Sequence, residues 1–429
     1  MTVEPGHAHA ALLLHATTPG VHPKAHVYAE LGPDLFDYLR AIDDANRRPD
    51  RPTAWELDVR TGPAAARRCY REQPGNTVVV AGPNRAKFDL VAAAVADNLH
   101  VLVDPPWVID PADLPRLERL LKEAESREVL VKELAPARHA PWNGLLRDLM
   151  RDPEVFGGAV VGTAADPGLT LESTHHLPPP TPPTGTGVGE RRPAWTFDPH
   201  HAGDCLAAST APLIDLAFWL LFPHQPIEPA ADVELVDAVS WPTHLSAPQF
   251  SAATGLPAIP PALDAGGHLL HYGNGHATFT VRGAHVRVGT LWETEPPSGT
   301  PAGDAYECVA RGGLSKVAVR HWGDGRVELS VTANEVSRDA ALKVALTRRA
   351  ADWQPRHPGL RFEARDGGFR LAGADELGER PCAAFGRVLA EYVEQFTNPR
   401  NVPAWEHFNL LAKYRLTTQA AEVARSKRG

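Results

Sequence analysis

The sequence has no excess of basic charge, no paired cysteines and no long apolar run, and each absence closes off a class of protein. Lys and Arg number 43 against 52 Asp and Glu, a net charge of −9 that argues against a nucleic-acid surface. The one basic cluster, Arg425-Ser426-Lys427-Arg428, reads as a chain terminus. Cys69, Cys205, Cys308 and Cys382 stand alone without a C-x-x-C pair, so neither a disulfide framework nor a zinc knuckle is signalled. No stretch approaches the ~20 apolar residues of a membrane span. The run Ala10 to Leu14 is too short, and too poor in basic flanks, for a signal peptide. The expectation is a cytoplasmic protein with a small-molecule substrate and neither nucleic acid nor membrane as partner.

What is present points to two domains. A chain of 429 residues exceeds one ordinary core, and 43% hydrophobic with 22% charged residues is usual for a globular fold. The first 135 residues alternate short strands with helices. Met1 to Glu4 and the segment opening at Val27 read as strands, and Asp34 caps the helical run Leu35-Phe36-Tyr38-Leu39-Ile42. Thr77-Val78-Val79-Val80-Ala81 is a buried strand closed by Gly82-Pro83-Asn84, and Lys87 to Asn98 is helical. His100-Val101-Leu102-Val103 ends at Asp104-Pro105-Pro106, a helix follows Asp110-Pro111, and Val129-Leu130-Val131 is a further strand. Helices of this length between strands imply a parallel sheet. Ligands then sit at the carboxyl ends of its strands, near Gly6, Gly82 and Asp104.

Between His176 and Arg192, Pro178-Pro179-Pro180-Thr181-Pro182-Pro183 with Gly185, Gly187 and Gly189 predicts an extended loop, either a linker or a lid over a cleft. Beyond it, segments 277–281, 285–288, 316–319 and 327–331 alternate with period two between Gly-containing turns, the pattern of an antiparallel meander. Helices from about Pro381 to Phe396 and Pro403 to Ala424 close the chain.

Several landmarks occur together and in order: Gly6-His7-Ala8-His9-Ala10, the stretch Asn76 to Ile109, Pro153-Glu154-Val155-Phe156-Gly157, Thr174-His175-His176, Arg192-Pro193-Ala194-Trp195-Thr196-Phe197-Asp198, Trp241-Pro242-Thr243 and Ala412-Lys413-Tyr414. On these the chain resembles the Gfo/Idh/MocA oxidoreductases, in the branch that carries its own C-terminal oxidoreductase domain. The resemblance implies a Rossmann-type α/β domain (1–135) that binds NAD or NADP. It implies next a second α/β domain (136–400) with a large, open, mostly antiparallel sheet that mediates homo-oligomers, and a C-terminal helix (401–429) packing back on the first domain. It also implies a sugar or polyol-like substrate.

The chain departs from the family at the reacting residues. Pro105 stands where the family lysine follows an acidic residue, Ala208 stands at the aspartate, and Pro212 stands at the catalytic histidine four residues on. The Gly-rich phosphate turn is replaced by Gly6-His7-Ala8-His9-Ala10. Proline and alanine cannot take a hydroxyl proton, and such transfers contribute ~10²–10⁴-fold to rate. The remaining candidates for that task are His175 and His176, of which at most one faces a given site, with Asp104 and Asp204; Asp215 is a further carboxylate. Gly6, His7, His9, Glu30, Gly82, Pro83 and Asn84 are the expected cofactor contacts, Glu30 toward the ribose. The His-x-His pair lacks a third ligand at a consistent spacing, so no metal site is expected. Three readings stay open: an NAD(P)-dependent oxidoreductase with relocated acid–base groups such as His176 and Asp104; a non-redox lyase, isomerase or cyclase; and a non-catalytic binder whose pocket is filled by Trp107 or by the 178–183 loop.

Overall fold

The computed structural model describes residues 1–177, 191–295, 303–365, 367–373, 377, 381–398 and 402–428. The Pro178–Pro183 segment, expected as linker or lid, lies outside the described residues.

Six parallel strands form the first sheet: β1 (Thr2–Val3), β2 (Lys24–Ala29), β3 (Glu56–Thr61), β4 (Thr77–Val80), β5 (His100–Val103) and β6 (Val131–Glu133), in the order β3-β2-β1-β4-β5-β6. This is the Rossmann order, and its switch point lies between β1 and β4. The strands with the most apolar sequences are central: Val78, Val80, Val101, Leu102 and Val103 are fully buried. The edge strand β3 is polar and half exposed, and for that reason no apolar run announces it. Helix Pro33–Arg47 buries Leu35, Tyr38, Ala41, Ile42 and Ala45 at helical spacing. It starts on Pro33, so Asp34 is in its first turn and does not cap it. The last strand comprises Val131–Glu133 and not Val129–Val131; Val129 is buried in the connection that precedes it.

The second sheet has nine strands: β7 (Leu169–His176), β8 (Val233–Ser246), β9 (His268–Val281), β10 (Ala284–Glu293), β11 (Ala305–Arg311), β12 (Ser315–His321), β13 (Val327–Ala333), β14 (Arg361–Arg365) and β15 (Gly368–Ala372). Their order is β14-β15-β13-β12-β11-β7-β10-β9-β8. The alternating segments expected of a meander are there, but β7 is inserted between β11 and β10. It runs parallel to β10, with Leu169 opposite Val286 and His175 opposite Trp292. One face is a continuous core of Leu169, Leu171, Phe279, Val286, Val288, Val317, Val319, Leu329 and Val331. Helix Ala211–Leu221 packs there and is buried on nearly every side. The apolar span Pro199–Leu221 around it is long enough to cross a membrane, yet 67% of its window lies inside the fold.

Two helices tie the domains together. Helix Trp405–Ser426 gives Ala412, Leu416, Ala420 and Ala424 to the second core and Tyr414 to the first. Helix Pro381–Thr397, beyond the second sheet in sequence, packs Phe385, Val388, Leu389 and Tyr392 against Leu13, Leu102 and Leu134 of the first domain.

Candidate active site

The carboxyl ends of β1, β4 and β5 face the polar end of β7, β9 and β10 across a cavity of about 580 Å³. Each wall carries its own group of histidines on a carboxylate.

The first wall is built on Asp104, which follows β5 and is 1% exposed. His9 opens the short helix His9–Leu13, and its Nδ1 is 2.5 Å from Asp104 Oδ1. His7 Nδ1 lies 3.0 Å from Oδ2, without the alignment of a hydrogen bond. The two rings are 4.1 Å apart. Lys87, on helix Asn84–Ala96, is wholly buried and donates to Asp104 Oδ2 at 3.0 Å, to the Asp104 carbonyl at 2.9 Å and to Asn84 Oδ1 at 2.9 Å. Burial alone would raise the Asp104 carboxyl, but Lys87, His7 and His9 hold it well below the carboxylate range. Burial and His7 lower His9, against the opposing pull of Asp104. Lys87 brings an ammonium to this wall at Asp104, one residue before Pro105. Its signal in the sequence is a lysine on the buried face of a helix, one turn after Asn84 and next to Phe88.

The second wall is built on β7, β10 and the residues before β11. His175 Nδ1 is 3.0 Å from Asp304 Oδ2, and its ring stacks on Trp292 at 4.8 Å. Arg192 donates to Asp304 Oδ1 at 2.5 Å and lies over the Trp292 ring at 4.8 Å. Burial pushes the Asp304 carboxyl up, but His175 and Arg192 together hold it well below its usual range. His271 packs edge-on to Trp292 at 4.8 Å; burial, with His175 and Arg192 nearby, depresses it to about 3, so it is neutral. Four buried polar atoms on this wall have no hydrogen-bond partner among the described residues: Ser173 Oγ, Arg192 Nε, His271 Nε2 and Trp292 Nε1. Gly273 makes room for the rings, since a Cβ there would sit 2.4 Å from His271 Nε2 and 2.5 Å from Trp292 Cδ1.

An adjoining cavity of about 270 Å³ opens at the ends of β1 and β2 and is lined by Glu4, Gly6, Glu30, Asp34, Pro83 and Trp195. Glu30 is exposed there at the carboxyl end of β2. Trp195 Nε1 donates to the Gly6 carbonyl at 3.1 Å. A Cβ on Gly6 would lie 3.0 Å from Asp34 Oδ2, and one on Gly82 would lie 2.7 Å from the Glu4 carbonyl. Burial and the neighbouring Asp37 raise Asp34 to about 6.

The residues singled out in the sequence thus divide. His7, His9, Asn84, Asp104 and His175 line the large cavity; Glu30 and Pro83 line the small one, and Gly6 lines both. His176 points the other way, with Nδ1 2.5 Å from the Gly303 carbonyl and Nε2 3.2 Å from Glu293. Asp204 is held outside the cavity, accepting from the Leu206 N–H at 3.0 Å and pairing with Arg428. Asp215 belongs to a buried ionic group with Arg138 and Lys413. Trp107 is 1% exposed in the first domain's core, donating to Glu133 at 3.0 Å, and fills no pocket.

Residues 145–425 match the family described as "Putative oxidoreductase C terminal domain". The chain belongs to that family. It is similar to the crystal structure of a protein from Parabacteroides merdae ATCC 43184 described as a "putative oxidoreductase", at 29% identity and TM-score 0.90, covering 99% of this chain and 97% of that one. Its fold is shared by GenD2 from gentamicin A biosynthesis in complex with NAD, at 16% identity and TM-score 0.58 over 100% and 94% of the two chains. It is shared too by levoglucosan dehydrogenase in complex with NADH and L-sorbose, at 12% identity and TM-score 0.58 over 99% and 96%. No curated protein matches the chain.

Proposed function

We propose that this protein is an NAD(P)-dependent oxidoreductase of a sugar or polyol-like small molecule, whose acid–base work has moved from the family positions to a histidine–carboxylate pair on the second sheet. The observation that carries this reading is the cavity itself: a Rossmann switch point on one wall and unpartnered hydrogen-bonding atoms around an aromatic ring on the other. The residues present fit a nicotinamide dinucleotide. Glu30 has the place and exposure, at the carboxyl end of β2, to accept from ribose hydroxyls. Bound there, the dinucleotide would supply hydride acceptance from a carbinol carbon.

The chain's own residues do the rest. Ser173, His175, Arg192, His271 and Trp292 line the second wall and give it the mixed aromatic and hydrogen-bonding character that suits a sugar. His175 is the proton acceptor. With its Nδ1–H on Asp304, the lone pair falls on Nε2, and Arg192 keeps that carboxylate in place. GenD2 and levoglucosan dehydrogenase, as NAD and NADH complexes on the same fold, support the cofactor, and the bound L-sorbose of the latter supports the substrate class. Buried free thiols at Cys69, Cys205 and Cys308 suit a cytoplasmic location. Val236 and Trp241, exposed on the edge strand β8, suit a homo-oligomer formed through the second sheet.

Calorimetric titration with NAD⁺ and NADP⁺, followed by a sugar and polyol screen for reduced nicotinamide, tests the reading. Saturable binding and turnover lost in His175→Gln are expected; binding without turnover on any polyol contradicts the substrate class. A second reading, a non-redox elimination or isomerisation in the same cavity, is favoured by the crowding of Glu4, Asp34 and Trp195 at the turn. Sugar binding without dinucleotide binding would select it.

A further inference from the structure

We propose that His7, His9 and Asp104 form a binding site for one divalent transition-metal ion, of the zinc class, open to the large cavity. The sequence offers two imidazoles in a His-x-His pair and no third ligand. The fold supplies the third by bringing Asp104 from the end of β5, 95 residues on from His9, onto the same pair. One ligand atom from each residue lies within 4.8 Å of the others. In a tetrahedral site with bonds of about 2.0–2.1 Å, ligand atoms stand about 3.3 Å apart, so small side-chain rotations close the cluster around an ion.

Two observations favour an ion over a purely hydrogen-bonded cluster. His7 Nδ1 is buried 3.0 Å from Asp104 Oδ2, and among the described residues it has no well-aligned hydrogen-bond partner. An ion held among His7, His9 and Asp104 would give that atom a partner. Asp104 is also held from behind: Lys87 grips its Oδ2 and its carbonyl, leaving Oδ1 for the side of His9. Outer hydrogen bonds of this kind orient metal-ligating carboxylates. Two imidazoles and one carboxylate leave at least one coordination position free, the arrangement of sites that bind and polarise a substrate oxygen. That position faces the cavity shared with Trp292 and His175.

The site does not depend on the oxidoreductase reading, and its test uses neither nucleotide nor turnover. Full-length, tag-free protein is stripped with chelator, dialysed and titrated with Co²⁺ and Zn²⁺, following visible Co²⁺ absorption and metal content by mass spectrometry. One ion per chain is expected, with affinity falling at least tenfold in His7→Ala and in His9→Ala. Both side chains are 29% exposed, so these variants spare the core, whereas Asp104→Asn would leave Lys87 buried without its partner. Circular dichroism verifies that each variant is folded, and His200→Ala, on the exposed helix Pro199–Ala202, controls for surface histidines. Substoichiometric metal in the unaltered protein, or binding that survives both variants, overturns the proposal.

Discussion

At the residue scale the site rests on compensated buried charge. Asp104 and Lys87 are both out of water, and removing one partner of such a pair is strongly destabilising. Lys87→Met should lower unfolding free energy by about 3–5 kcal/mol, read from urea denaturation with an unchanged m-value. Asp34 is the opposite case. Its carboxyl is raised to about 6 by burial and by Asp37, so the folded state prefers it protonated. Its contribution is favourable at low pH and is lost as pH rises from about 4 through about 6. Asp34→Asn should therefore stabilise the protein by on the order of 1 kcal/mol at pH 7.5 and leave it unchanged near pH 3.5, compared by thermal unfolding at both. At the second wall, His175→Gln should lower turnover of a polyol substrate by ~10²–10⁴-fold while leaving Tm within a few degrees.

Elements were legible where their chemistry is uniform. The valine runs of β4 and β5 and the alternation in β9, β10, β12 and β13 declare themselves, because burial on two faces and on one face leave different periods. The polar strands β3 and β7 do not. The second half of β7, Glu172 to His176, carries the site and is correspondingly rich in polar groups, so its function obscures its structure. The resemblance to a family covered nearly the whole chain and fixed the order of domains, and it located the turn after β1 and the end of β5. It could not say which member of His175-His176 faces the cavity, since that depends on the parallel pairing of β7 with β10. Nor could it reveal Lys87 or Asp304, whose partners are distant in sequence. The close approach of β9 to the rings gives a test at this scale. Gly273→Ala should displace His271 and Trp292 and weaken ligand binding at least tenfold, with the sheet intact by circular dichroism.

At the scale of the whole molecule, two sheets face one another across a cleft, joined by the helix Trp405–Ser426, which belongs to both cores. Tyr414 donates to Glu133 and accepts from the Trp107 N–H at 3.1 Å, while neighbouring Lys413 pairs with Glu133, so the last helix locks the end of β6 to the second domain. Such bracing keeps the two walls at a fixed spacing, which catalysis between a cofactor and a substrate requires. The account as a whole depends on whether the altered turn after β1 still holds a dinucleotide. Denaturing the purified protein and analysing the released small molecules by mass spectrometry, with calorimetry for added nucleotide, measures that directly. The account predicts NAD(H) or NADP(H), carried through purification or bound saturably on addition at one per chain; no released nucleotide together with no binding would contradict it.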